Sequence, residues 1–127
     1  MNGPPKPTRR PMPGFKQGEV VKVPFPYTDR ATRQFRPALV VSSPGLEEAH
    51  GLLWVAMITS AANRGWPGDV AVNHLAEAGL PAASLIRTAK IATIEAGDAT
   101  RLGRILPTQL RQVLARLADV LGMEERA

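Results

Sequence analysis

Three positive charges stand where apolar strands ought to be ending. Arg36 precedes the run Pro37-Ala38-Leu39-Val40-Val41, and Arg87 and Lys90 interrupt "SLIRTAKIATIE". A guanidinium keeps its charge, offers a planar fork of N–H donors, and matches the oxygens of a carboxylate or a phosphate. Unpaired in a core it would be strongly destabilising, so Arg36 belongs at the open end of its strand. Side chains alternate along a strand, which puts Arg36 on the face of Ala38 and Val40. There it can pair with Glu19, Asp29 or Glu47, or it can receive an anion. Thr59 and Ser60 end a second apolar run, "LLWVAMITS". Hydroxyls at such exits commonly satisfy loop backbone groups. If the two strands share a small sheet, however, their polar ends converge and Thr59 joins Arg36 at one anion. Arg87 and Lys90, with Ser84 and Thr88 beside them, either form the wet side of a half-buried strand or add charge to that place.

Other chemistries find no pattern to use. The chain has no cysteine, which removes disulfides, thiolate ligands and cysteine nucleophiles. His50 and His74 stand 24 positions apart with no paired carboxylates near them, and the glycines lack phosphate-loop spacing, so no metal or cofactor is expected.

The 127 residues, 44% of them hydrophobic, suit one domain with its own core. No apolar run approaches the roughly 20 residues that span a bilayer. The proline-rich start "MNGPPKPTRRPMPGFKQ" lacks the apolar stretch of a signal peptide. Together with the missing cysteines, this points to a soluble cytoplasmic protein without a membrane partner. The net charge of +5 is uneven: residues 1–36 hold eight Lys or Arg against Glu19 and Asp29, and the remainder holds eight against nine acids. Either the first third meets an anionic partner, or Lys6, Arg9, Arg10 and Lys16 merely solubilise a tail.

The elements that must hold these groups read as follows. Residues 1–17 form a disordered, basic tail, residues 18–122 one domain, and residues 123–127 a flexible end. "GEVVKVPFP" alternates as a strand, with Pro24 favouring a sheet edge or bulge. "YTDRATRQ" is a basic loop. "RPALVVSS" and "GLLWVAMITS" are too continuously apolar to be surface strands, which puts Trp54 in the core. "AANRGWPGD" is an irregular loop whose Trp66 is a candidate stacking platform or interface contact. A short strand near "DVAVN", a helical turn in "HLAEAGLPA", and one or two strands in "SLIRTAKIATIE" follow, and "AGDATRLGRI" is a turn and an extended piece. Leu110, Val113, Leu114, Leu117 and Leu121 recur at helical spacing from Pro107 to Leu121, with Gly122 as the stop. Short strands ending in one amphipathic helix describe a mainly β, α+β domain: a small curled barrel with a helix packed against it.

In this order, Gly18-Glu19 opening the first strand, Arg36-Pro37 opening the second, Thr59-Ser60 ending the third, then "IRTAKIATIE" and "LGRILPTQLRQVLARL", the chain resembles the MazF/PemK-like toxin family from about Gly18 to Leu121. The resemblance implies an SH3-like barrel with a C-terminal helix, a homodimer, and the toxin of a type II toxin–antitoxin pair. It further implies a metal-independent endoribonuclease that cuts single-stranded RNA to leave a 2′,3′-cyclic phosphate and a 5′-hydroxyl. Its catalytic positions fall on Arg36 and Thr59, and Arg87 matches an arginine that some PemK-type members use beside the scissile phosphate. Those members carry an acidic residue two positions later. Ala89 stands there instead, so the design is expected to be nearer an Arg–Thr scheme.

On that reading Arg30, Arg33, Gln34, Phe35, Ser60 and Lys90 contribute to RNA binding, with Glu19 and Asp29 at the groove. Arg30 and Arg33 track phosphates, and Phe35 or Tyr27 stacks a base. The proton acceptor stays open. Arginine is a poor base, Glu19 and Asp29 are candidates, and His50 and His74, of a residue type suited to proton transfer, sit in connectors. A basic groove also invites a cognate antitoxin whose acidic, disordered segment folds on it, the pair forming a DNA-binding complex. Two rivals share the architecture. A gyrase-poison-like toxin is disfavoured by the ending "GMEERA", which lacks an aromatic residue, and a binding-only RNA barrel is kept open by Ala89.

Overall fold

The computed structural model describes residues 14–24 and 34–123. Six antiparallel strands form one curled sheet in the order β4-β5-β3-β2-β1-β6. They are β1 (Glu19–Pro24), β2 (Phe35–Val40), β3 (Leu52–Ser60), β4 (Val70–Ala71), β5 (Ser84–Glu95) and β6 (Thr100–Arg104). Helix α1 (Pro44–His50) joins β2 to β3, α2 (Leu75–Ala78) joins β4 to β5, and α3 (Pro107–Val120) closes the chain. The mainly β reading with a C-terminal helix therefore holds.

The sheet is buried on both faces, which is why β2 and β3 read as unbroken apolar runs. Val20, Leu39, Ala56, Ile58 and Ile86 form one cluster with Val113 of α3. Val21, Val23, Ala38, Val40, Val55 and Met57 form a second with Ala92 and Ile94. Helix α3, about 21 Å long at 1.5 Å per residue, buries Val113 completely and leaves Leu110, Leu114 and Leu117 half-buried against the first cluster. Leu121 lies past the contact and is exposed. Gln109 is buried in the same helix, donating from Nε2 to Ala71 O (2.6 Å) and accepting from Asn73 N (3.0 Å), so it ties β4 to α3. Gly103 of β6 lies against α2 so closely that a Cβ there would collide with the Glu77 and Ala78 backbone.

Pro24 is tolerated because the β1–β6 ladder runs only from Glu19 to Lys22, with a bulge at Val20/Val21, and leaves Pro24 without a strand partner on that side among the described residues.

Several expectations are corrected. His50, expected in a connector, lies in a helix: "PGLEEAH" is started by Pro44 and ended at Gly51 (φ +70°), yet it buries no residue and so carries no amphipathic signal. Trp54 is half exposed, not core: it stands at the far end of β3 beside an apolar groove of about 470 Å³ shared with Leu46, Leu114 and Leu117. The packed chain also extends N-terminal of Gly18. Phe15 packs on the second cluster and donates its N–H to Glu47 Oε1 (2.8 Å), and Gln17 Nε2 donates to Val41 O (3.0 Å). "SLIRTAKIATIE", by contrast, meets the expectation of one or two strands, as one 12-residue strand. Among the described residues no helix is long and apolar enough to cross a membrane.

Candidate functional site

The site begins with a missing donor. Val41 N donates to Trp54 O (2.9 Å), so the odd-numbered residues of this strand direct their N–H groups toward β3. Pro37 has the same parity and no N–H, and would have bonded next toward β3. The β2–β3 ladder accordingly stops at Ala38↔Met57, while β2 remains paired to β1 through Pro37↔Lys22, Arg36↔Val23 and Phe35↔Pro24. Extended by two residues, the ladder would set Arg36 directly opposite Thr59. Because it stops, the two strands part there and leave a fork.

A bulge fills the other side of the fork. β3 pairs with β5 at Ala56↔Ile91 and again at Ile58↔Ile86, so residues 87–90 face Met57 alone. Such an insertion bends the strand and re-aims its side chains. Ile86 and Ile91 both face the first cluster, which turns the adjoining Arg87 and Lys90 toward the opposite face. Arg36 and Thr59 share that face with Ala38, Val40, Val55 and Met57.

Arg36, Thr59, Arg87 and Lys90 thus line one small cleft of about 50 Å³, with Met57 and Ile58 as its apolar wall. Three of these six side chains are cationic, and none is a carboxylate or an imidazole. Arg36 is exposed, and its Nη2 donates to Gln34 Oε1 (3.1 Å). Thr59 Oγ1 accepts from Asn63 Nδ2 (2.6 Å), which leaves the Thr59 hydroxyl proton directed elsewhere. Arg36 and Thr59 also line a larger depression of about 220 Å³, bounded by Ser60, Asn63 and the segment Leu80–Ser84.

Arg87 differs from Arg36 in being buried. Its Nε and Nη2 donate to the two carboxylate oxygens of Asp69 (3.3 and 3.0 Å), and Nη2 also donates to Arg64 O (2.9 Å). The guanidinium carbon lies 4.1 Å from the centre of the Trp66 ring, which is itself 40% exposed. The loop that brings Asp69 and Trp66 here is a turn with Pro67 at its second position and Gly68 (φ +90°) at its third, closed by Asp69 N donating to Trp66 O (3.1 Å). Only glycine adopts that third-position conformation without strain. Thr88 Oγ1 donates to Gly68 O (2.9 Å) and clips the turn to β5.

The remaining sequence candidates fall in different places. Glu19 is at the opposite end of β1 from the Arg36 partner Val23, about 13 Å away at strand rise. It holds Arg101 through Nε–Oε2 (3.0 Å) and Nη2–Oε1 (3.1 Å) and accepts from Lys16 N (2.9 Å), so it does not share the cleft. Phe35 is exposed at the start of β2, and Ser60 Oγ accepts from Ala62 N (3.1 Å) beside the larger depression. His50 is the last residue of α1 and His74 precedes α2; both are exposed and line neither depression. Asp29, Arg30, Arg33 and Tyr27 lie outside the described residues.

Sequence reasoning missed Asp69 and Asn63. Pro67-Gly68 is a legible turn signal, but nothing local says that this turn docks on Arg87.

A curled antiparallel half-barrel with a C-terminal helix, holding arginines and a threonine at one forked strand end, defines a class of small β-barrel proteins with a cationic cleft. Residues 16–121 match the family described as PemK-like, MazF-like toxin of type II toxin–antitoxin system, and the chain belongs to that family. Among solved structures it is similar to MazF from Deinococcus radiodurans, with 23% identity and a TM-score of 0.70 over 88% of this chain and 100% of that one. A MazE–MazF complex from the same organism gives 24% identity and a TM-score of 0.69 over 89% and 100%. An endoribonuclease in complex with its cognate antitoxin from Mycobacterial species gives 19% and 0.69 over 91% and 100%. Comparison with the curated proteins gave no match.

Proposed function

We propose that this toxin is a metal-independent endoribonuclease that cleaves single-stranded RNA by attack of the RNA's own 2′-hydroxyl, giving a 2′,3′-cyclic phosphate and a 5′-hydroxyl. The observation that carries the reading is the cleft in which Arg36, Thr59, Arg87 and Lys90 meet from three separate strands. A similar fold belonging to an endoribonuclease supports it.

Such a reaction needs the 2′-oxygen, phosphorus and leaving 5′-oxygen in line, and it needs the extra negative charge of the transition state to be stabilised. Arg36 and Arg87 approach one phosphate from two sides of the fork, with Lys90 adding charge. Thr59, its oxygen held by Asn63, donates its hydroxyl to a non-bridging oxygen and sets register. The depression beside Leu80–Ser84 gives a flanking sugar or base an apolar floor. No lining residue is a carboxylate or an imidazole, so alignment and charge stabilisation supply the protein's part of the rate. The same reading includes a homodimer and a cognate antitoxin whose acidic segment covers the cationic cleft.

The test is incubation of purified protein with a long single-stranded RNA in EDTA, followed by analysis of fragment ends. Fragments with 5′-hydroxyl ends are expected. Arg36→Ala is expected to lower the rate about a hundredfold or more with the fold retained, since Arg36 is exposed. Intact RNA with normal binding would mean a binding-only barrel, and inhibited DNA supercoiling a gyrase-poison-like toxin.

A further inference from the structure

The ion pair behind the cleft uses a carboxylate that no part of the reading above employs. Asp69 comes from the loop before β4, Arg87 from the β5 bulge, and their side chains are 7% and 10% exposed. An arginine buried this deeply and left unpaired would be costly, so its partner controls where it points. Three of the five guanidinium N–H groups are committed: Nε–H to Asp69 Oδ1, and the two on Nη2 to Asp69 Oδ2 and Arg64 O. Among the described residues, Nη1 makes no hydrogen bond. The Trp66 ring covers one flat face of the guanidinium, and the turn carrying Trp66 and Asp69 is closed on itself by Trp66 N donating to Asp69 Oδ2 (2.9 Å).

We propose that Asp69 is a positioning residue: it holds the buried Arg87 by one edge so that Nη1 alone is presented to the phosphate in the cleft. The carboxylate absent at Ala89 is thereby not replaced as an acid or base. Asp69 already accepts three hydrogen bonds, from Arg87 Nε, Arg87 Nη2 and Trp66 N, and it acts only through Arg87. Preorganisation of this kind matters because displacement of a clamp by about 1 Å costs on the order of a hundredfold in rate. The inference rests on the nuclease reading for its kinetic test and on anion binding alone for its structural one.

The kinetic test is a double-mutant cycle on RNA cleavage. Asp69→Asn, which keeps the shape and removes the charge, is expected to lower kcat by about ten- to a hundredfold with KM changed less than about threefold. In an Arg87→Ala background the same change is expected to add nothing. Asp69→Glu should restore part of the rate by keeping the ion pair. Two results would overturn the proposal: Asp69→Asn with wild-type kcat, or a double variant slower than Arg87→Ala by the full single-variant factor.

A wild-type measurement covers the case in which Asp69→Asn does not fold. Side-chain NMR of the arginines, with a 2′-deoxy oligonucleotide titrated in, should show Arg87 Nε–H slow to exchange throughout while the Nη1 protons shift. A freely exchanging Nε–H in the unbound protein contradicts the proposal. If wild type leaves RNA intact but binds the oligonucleotide with these signals, the nuclease reading fails and Asp69 keeps its role in anion binding. If the oligonucleotide shifts no Arg87 proton, the role fails as well.

Discussion

Pro37→Val returns the one backbone donor whose absence ends the β2–β3 ladder. The parity set by Val41 N to Trp54 O directs the new amide at position 37 toward the carbonyl of Ile58. One backbone hydrogen bond contributes about 0.5–1.5 kcal/mol net. Losing the proline's restriction of the unfolded chain removes about 0.4–1 kcal/mol. The two nearly offset, so net stability should change by less than about 1 kcal/mol, a Tm shift of no more than about 4 °C for a chain of this size. The functional effect should be much larger. Zipping the fork draws Arg36 toward the spacing of a paired strand, about 4.8 Å from β3, and misplacement by even 1 Å costs on the order of a hundredfold. The assay pairs amide hydrogen exchange at position 37 with RNA cleavage. Expected are a protected amide, near-native stability, and cleavage lowered about a hundredfold. An amide exchanging like an exposed one, with cleavage within about threefold of wild type, would refute the argument that proline opens the cleft.

Two further substitutions test the scaffold. Gln109→Ala strands Ala71 O and Asn73 N and should cost about 1–3 kcal/mol, seen as a lower urea midpoint and faster amide exchange at Val72 and Asn73, the amides nearest the lost tie. Gly103→Ala drives a methyl into the α2 backbone and should cost about 1–3 kcal/mol, whereas Gly97→Ala, where a Cβ meets nothing within 4 Å, should stay within about 0.5 kcal/mol.

What the sequence made legible follows from how local each signal was. The heptad-like leucines of α3 and the alternation in β1 carry their own periods, and those elements appear nearly where the periods end. Arg36, Thr59 and Arg87 were visible as polar interruptions in apolar runs, because such runs have few reasons to carry charge. Trp54 misled because an apolar run does not say where the covering helix stops. α1 escaped because a helix that buries nothing has no period to detect. Asp69 escaped for a different reason: its meaning lies in a partner 18 residues away, and that contact exists only once a bulge in β5 and a turn at Pro67-Gly68 meet. Glu19 looked suited to the cleft until strand length separated them.

The most direct measurement is a crystal structure with a single-stranded oligonucleotide made uncleavable by a 2′-deoxy substitution. One phosphate should lie within about 3 Å of an Arg36 nitrogen, the Thr59 hydroxyl and Arg87 Nη1 together. A strand bound with no phosphate reaching all three would contradict the account.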